Sequence, residues 1–289
     1  MNKQIEDDNF RIFSLMSNYL NNYSTYITKA DIDEVKTKNM SAEQAFSIIL
    51  ANGVGLDILD KNTDRDFYNK YFTKMVKRLK TNDYKENEYY KNIINPKIKQ
   101  DNIEFKYEYY KPYKGFVFND IEKDLEGRMY PQVGFFEEHF RYPAILENGR
   151  IWMTVTPNEI ETMKSPIEKA HGKVLTLGLG LGYYQYMISN KTNVDEIYII
   201  DKNETIINLF KKYILPQFQN KDKIKIIHAD AFEFLKNDMS KYNFNFVFSD
   251  LWHDVSDGVD MYLDIKNYEK LYPNINFEYW IEKSIKMYL

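Results

Sequence analysis

Up to about residue 100 the apolar positions recur at three and four, with Phe10, Phe13, Met16 and Leu20 early and Phe67, Tyr71, Met75 and Leu79 later. That period marks one face of a helix packed on a core. Ser41-Ala42-Glu43-Gln44 has the spacing of a capping box ahead of Phe46, Ile48, Ile49 and Leu50, and Asn52-Gly53 or Gly55 supplies the stop. A further helix is predicted from Asp64 to Lys80, with Lys and Arg near its C-terminal end, where the helix dipole favours cations. Residues 1–100 therefore read as an all-α N-terminal domain.

Alternation then replaces helical spacing. Ile103, Phe105, Tyr107 and Tyr109 are followed by Phe116 and Phe118, and Asn148-Gly149 between two apolar runs is a strong hairpin signal. Met129–Phe136, aromatic and polar together, reads as a loop over a pocket or a packed connection. A small β linker segment over 101–155 is expected. Thr156-Pro157-Asn158-Glu159 and Ser165-Pro166-Ile167-Glu168 each place a hydroxyl cap, a first-turn proline and a glutamate as at a helix start.

From Lys173 short apolar strands alternate with helices. The strands are Val174–Leu177, Glu196–Ile200, Ile224–Ile227 and Phe244–Phe248, and the helices lie around 183–190, 203–215 and 231–239. This βαβ pattern predicts an α/β Rossmann-like parallel sheet over 156–289, with ligands at the carboxyl ends of the strands. Beyond Asp260 only Tyr268–Tyr272 and Asn276–Leu289 remain, and the latter reads as an amphipathic helix. The sheet is then short at that edge, completed by the β residues 103–153, or covered by a second subunit in a homodimer.

Composition narrows the function classes. The 289 residues leave room for two domains, and a net charge of −4 offers no broad basic face for nucleic acid. With no cysteine, disulfides, thiolate zinc sites, iron–sulfur clusters and cysteine nucleophiles are excluded. The first eight residues hold no apolar signal core, and no run approaches a membrane span of about 20 residues, so a cytoplasmic protein is expected.

The candidate chemistry gathers at the strand ends. Gly178, Gly180 and Gly182 make a tight turn between the first strand and a helix, leaving backbone N–H groups free. The next three strands end at Asp201, Asp230 and Asp250, and parallel strands bring all these ends to one edge. Asp201 stands at the spacing of a ribose-binding acid, with an N-cap of the following helix as the plainer alternative. Ser249–Gly258 forms the substrate side. There His253 suits a general base, and Asp250 or Asp254 suits orienting it or holding a cationic acceptor. The plainer alternative makes His253 an exposed loop residue and Asp254 a helix cap. Asp250, His253, Asp254 and Asp257 also have the chemistry of hard metal ligands, but acidic loops of this kind are usually only solvated, and no metal is expected. His139, His171 and His228 have no evident partners in sequence and read as structural.

The stretch from about Met153 to Tyr268 resembles the class I S-adenosylmethionine-dependent methyltransferases and, within that fold, the spermidine synthase branch. Ile226–Leu235 and Asn158–Met163 carry the second likeness. The resemblance implies a glycine turn under the methionine part of the cofactor, Asp201 on the ribose, and Asp230 with Ala231 on the adenine. Thr176 stands where methyltransferases usually place an acid, and Leu181 where aminopropyltransferases place an aspartate. Asp250 and Asp254 have three residues between them, where aminopropyltransferases usually have two. The expected protein is an S-adenosylmethionine-dependent methyltransferase acting on a small molecule, its helical domain walling the substrate pocket. The alternatives are an aminopropyltransferase using decarboxylated S-adenosylmethionine, or a catalytically silent cofactor-binding protein whose helical domain serves a partner.

Overall fold

The computed structural model describes residues 2–289. The chain divides into two compact units, one built from residues up to Tyr84 with Tyr109–Arg141, the other from Lys85–Glu108 with Tyr142–Leu289. In chain order the strands are β1 (Val76–Leu79), β2 (Ile98–Gln100), β3 (Ile103–Tyr110), β4 (Phe116–Lys123), β5 (Met129–Phe136) and β6 (Phe140–Glu147). There follow β7 (Arg150–Thr154), β8 (Gly172–Leu177), β9 (Val194–Asp201), β10 (Ile224–His228), β11 (Phe246–Ser249) and β12 (Asn276–Tyr279). They form three sheets in the orders β1-β5-β4, β2-β3-β6-β7 and β10-β9-β8-β11-β12. The strands between 103 and 154, expected as one linking segment, are shared between the first two sheets.

The first unit packs helices such as Lys3–Asn18 and Ala42–Gly53 onto its sheet, with Phe46 stacked on Phe135 at 4.2 Å between ring centroids. Ser41 and Gln44 form the predicted capping box. This unit is not all-α. The helix expected over 64–80 runs only over Asn62–Lys70, a short helical turn follows at Phe72–Met75, and Val76–Leu79 is β1, parallel to Val133–Phe136. Phe67, Tyr71, Met75 and Leu79 are all buried, so the four-residue spacing reports burial correctly. What local spacing cannot register is the distant strand that Val76 and its neighbours pair with. Met129–Phe136 is neither loop nor connection but the central strand. Pro131 lies before the stretch that pairs with β1, so its missing N–H removes no ladder bond on that side.

In the second unit the four parallel strands stand where alternation with helices placed them. Asn148 and Gly149 have φ of 53° and 78°, the two left-handed residues a tight Asn-Gly hairpin needs between β6 and β7. Residues 276–289 do not form one helix. Phe277 and Tyr279 alternate with Asn276 and Glu278 in β12, which pairs parallel with β11, and a short helix Glu282–Lys286 follows. An edge strand supplies the backbone partners that the outer side of β11 requires, so the sheet is completed by the chain's own C-terminal strand and not by residues 103–153. Ser165 caps nothing. It lies inside the helix Lys164–Lys169, because Met163 ahead of it is already in the right-handed helical region.

Counted from β8, the sheet order is third, second, first, fourth, fifth, all parallel. That is the Rossmann-like α/β arrangement, and it puts the topological switch point between β8 and β11. No helix of the described residues is long and apolar enough to cross a membrane.

Candidate active site

The turn after β8 holds Gly178, Gly180 and Gly182 at φ of 97°, 56° and 75°, all left-handed. A Cβ on Gly178 would lie 2.2 Å from the carbonyl oxygen of Asp250, and one on Gly182 would lie 2.4 Å from the ring of Phe210. At Gly180 the nearest atom is Met153 Sδ at 3.6 Å. Two of the glycines thus let the chain pack against itself, while Gly180 borders open space. Side chains then pin the turn. Gln185 Nε2 donates to the Gly178 carbonyl at 3.0 Å and to Thr176 Oγ1 at 3.3 Å. The Tyr89 hydroxyl, from the helix Glu88–Asn92, donates to the Leu181 carbonyl at 2.7 Å. Thr176, where an acid is usual, is fully buried and spends its hydroxyl inside this network.

Asp201 belongs to the same network. Its Oδ2 accepts from Leu179 N at 3.0 Å and its Oδ1 from Asn203 N at 2.8 Å. Burial raises its pKa, and the two amides oppose that rise. Asn203, not Asp201, caps the helix Glu204–Leu209. Asp230 is exposed and caps the helix Ala231–Asn237, its Oδ1 accepting from Phe232 N and Glu233 N.

A cavity of about 250 Å³ opens at the switch point, bordered by Leu179–Gln185 of the turn and by Asp250–His253 after β11. Trp152, Trp252 and Trp280 all line it, and the chain has three tryptophans in total. Asp201, Asp230 and Ala231 do not line it; Gly180, Gly182, Asp250 and His253 do. Gly178 stands just behind, against the Asp250 backbone.

Two carboxyls face this space. Glu159 lies in the first turn of the helix Pro157–Thr162, in the capping box with Thr156. Its Oε1 accepts from Thr154 Oγ1 at 2.8 Å, and its Oε2 from Thr156 N at 2.8 Å and from Thr156 Oγ1. Burial raises its pKa and those donors oppose the rise. The carboxyl oxygens of Asp250 meet no donor among the described residues. Burial first, then the nearby charge of Glu159, pushes Asp250 up to about 7. The Ser249 hydroxyl and Trp252 Nε1 are buried without partners on either side of it. Unpaired polar groups cost stability, and here they concentrate on one short segment at a cavity.

His253 is exposed at the rim, its ring centroid 5.7 Å from that of Trp152 and its Nδ1 3.7 Å from Asp254 Oδ2. Asp254 does not reach the cavity. It caps the helix Val255–Glu269 in a capping box with Asp257, whose carboxylate accepts from the amides of His253 and Asp254. His171 Nδ1 lies 3.0 Å from the Lys169 carbonyl, and His228 Nε2 3.1 Å from that of Lys202.

The sequence reading passed over Glu159, Tyr89 and the tryptophans. Glu159 read as a capping residue, which it also is. Trp252 and Trp280 follow the carboxyl ends of β11 and β12, a signal visible once β12 is known to be a strand.

Strand order and glycine turn together define a Rossmann-like α/β fold. No family model and no curated protein matches the chain. Among solved structures it is similar to spermidine synthase from Thermotoga maritima, at 16% identity and a TM-score of 0.34 over 48% of this chain and 53% of that one. It is also similar to aTrm5 in its complex with tRNALeu, at 18% identity and a TM-score of 0.31 over 51% of this chain and 41% of that one. The chain thus spans about half the length of these structures, and the fold assignment rests on the strand order. An unpartnered carboxyl and indole faces both favour positive charge in the cavity.

Proposed function

We propose that the protein is a small-molecule transferase that uses an adenosyl sulfonium, with S-adenosylmethionine as donor and an amine as acceptor. The observation that carries this reading is Asp250, a carboxyl with no protein partner and a pKa near 7, set in an indole-walled cavity beside the glycine turn. When bound, such a cofactor supplies an electrophilic carbon whose bond to sulfur breaks with the electron pair returning to sulfur. Asp250 takes a proton from the acceptor ammonium and frees the nitrogen lone pair; a base with a pKa near the working pH suits this step. Glu159 keeps the base's pKa high, and the turn and Trp252 hold the acceptor against the donor carbon, where orientation supplies much of the rate. His253 at the rim is the second candidate for the proton.

Aminopropyl transfer from the decarboxylated cofactor is the second reading, favoured by one feature. No lysine or arginine lines the cavity to meet a donor carboxylate. Calorimetry with S-adenosylmethionine, its demethylated product, the decarboxylated form and methylthioadenosine separates the readings. Binding of the intact cofactor tighter than about millimolar, with methyl incorporation into an amine pool, supports the first. Binding of the decarboxylated form alone moves the assignment to the second, and binding of none of the four rejects both.

A further inference from the structure

We infer that the cavity selects a single ammonium group carried on an apolar body, an alkyl or arylalkyl monoamine, and rejects a diamine. This rests on the transferase reading for its context but not for its test. The acids on the cavity wall are Glu159 and Asp250. Glu159 accepts from the Thr154 hydroxyl and from the amide and hydroxyl of Thr156, which fills three of its roughly four acceptor positions from within the protein. Asp250 accepts from nothing, so one free carboxyl is presented, and it pairs with one ammonium.

Most other polar side-chain groups on the wall are committed elsewhere, and the unpartnered Trp252 Nε1 is a donor that cannot meet an ammonium. The Gln185 amide donates to Gly178 and Thr176, the Tyr183 hydroxyl receives Asn87 Nδ2, the Tyr184 hydroxyl donates to the Pro166 carbonyl, and Trp280 Nε1 donates to Thr162. What faces a ligand beyond Asp250 is indole, thioether and aliphatic surface, chiefly Trp152, Met153, Met163, Leu181 and Trp252. An ammonium beside an indole face gains cation–π attraction, and an apolar body gains burial. A second ammonium at the far end would be stripped of water against Met, Leu and Trp with no carboxylate to meet it. His253, exposed at the rim, is the one basic side chain on the wall, and it offers no negative charge to a second ammonium. The volume is about 250 Å³, just below the roughly 300–1,000 Å³ of ordinary ligand pockets.

The test titrates the full chain with phenethylamine, butylamine and diaminobutane at about pH 8, above the Asp250 pKa, by calorimetry and tryptophan fluorescence. Each amine is added alone and with methylthioadenosine present. Phenethylamine should perturb the indole emission and bind about tenfold tighter than diaminobutane. Asp250→Asn should abolish that binding with the circular dichroism unchanged, and Trp152→Ala should shrink the advantage of phenethylamine over butylamine. Diaminobutane binding as tightly as phenethylamine, no amine binding in either condition, or binding that survives Asp250→Asn overturns the inference. Cofactor binding without amine binding would sink this inference alone, whereas amine binding without cofactor binding would sink the transferase reading alone.

Discussion

At the scale of single residues, Asp250 is a carboxyl whose surroundings disfavour its charged form. Its folded pKa is raised to about 7, above the usual ~3.9 of an exposed aspartate. The folded state therefore holds a proton that the unfolded chain has already released, so stability falls as pH rises from about 4 through 7. Asp250→Asn removes that penalty. The variant should gain roughly 2–4 kcal/mol relative to wild type on going from acid to mildly alkaline pH, read from urea unfolding at each pH. Glu159→Gln should lower the Asp250 pKa, because the charge of Glu159 is one of the two causes holding it up. A carbonyl-carbon NMR titration of Asp250 that moves up or stays put would contradict this. Asp250 was legible from its place at a strand end. Its role was not, because burial and missing donors are properties of the folded surroundings.

At the scale of elements, the glycine turn is a piece of architecture before it is a ligand cradle. Gly178→Ala would drive a methyl into the Asp250 carbonyl at a left-handed φ, and should cost 3 kcal/mol or more by the measure of about 1–2 for the dihedral alone plus the clash. Gly180→Ala meets only the dihedral cost and should lose about 1–2 kcal/mol while narrowing the cavity. Equal losses in denaturant melts would show that the turn is not packed as described. Asp201→Ala leaves the amides of Leu179 and Asn203 without acceptors and should cost about 1–3 kcal/mol for each. A variant of wild-type stability would show that the carboxylate is free for a ribose. The spacing of Asp201 after Gly182 pointed to a nucleotide-binding acid, and it equally suits an acid that ties the second strand end to the turn after the first. Sequence distance cannot separate these, since both require the same placement.

At the scale of the molecule, the first unit is built on one sheet and the second on two, and each has its own buried apolar cluster. All three tryptophans lie in the unit that contains the parallel sheet. Tryptophan emission should therefore follow that unit alone, whereas far-ultraviolet circular dichroism follows both. The two thermal transitions should not coincide, and a cavity ligand should raise the one seen by fluorescence. Superimposable curves shifting together would show the units unfold as one.

What the sequence determined by itself is the local and the periodic: the parallel strands with their helices, the Asn148-Gly149 hairpin, the capping boxes at Ser41 and Thr156, and the gathering of polar strand ends at one edge. These follow from side-chain period, turn dihedrals and cap chemistry, which act over a few residues. The tertiary structure decided the rest. It made Val76–Leu79 and Asn276–Tyr279 strands, because β5 and β11 offered partners far along the chain. It spent Asp201, Asp230 and Asp254 on backbone amides and left Asp250 unpaired. It also drew Trp152, Trp252, Trp280 and Glu159 to that carboxyl, a neighbourhood that exists only once separate strand ends converge.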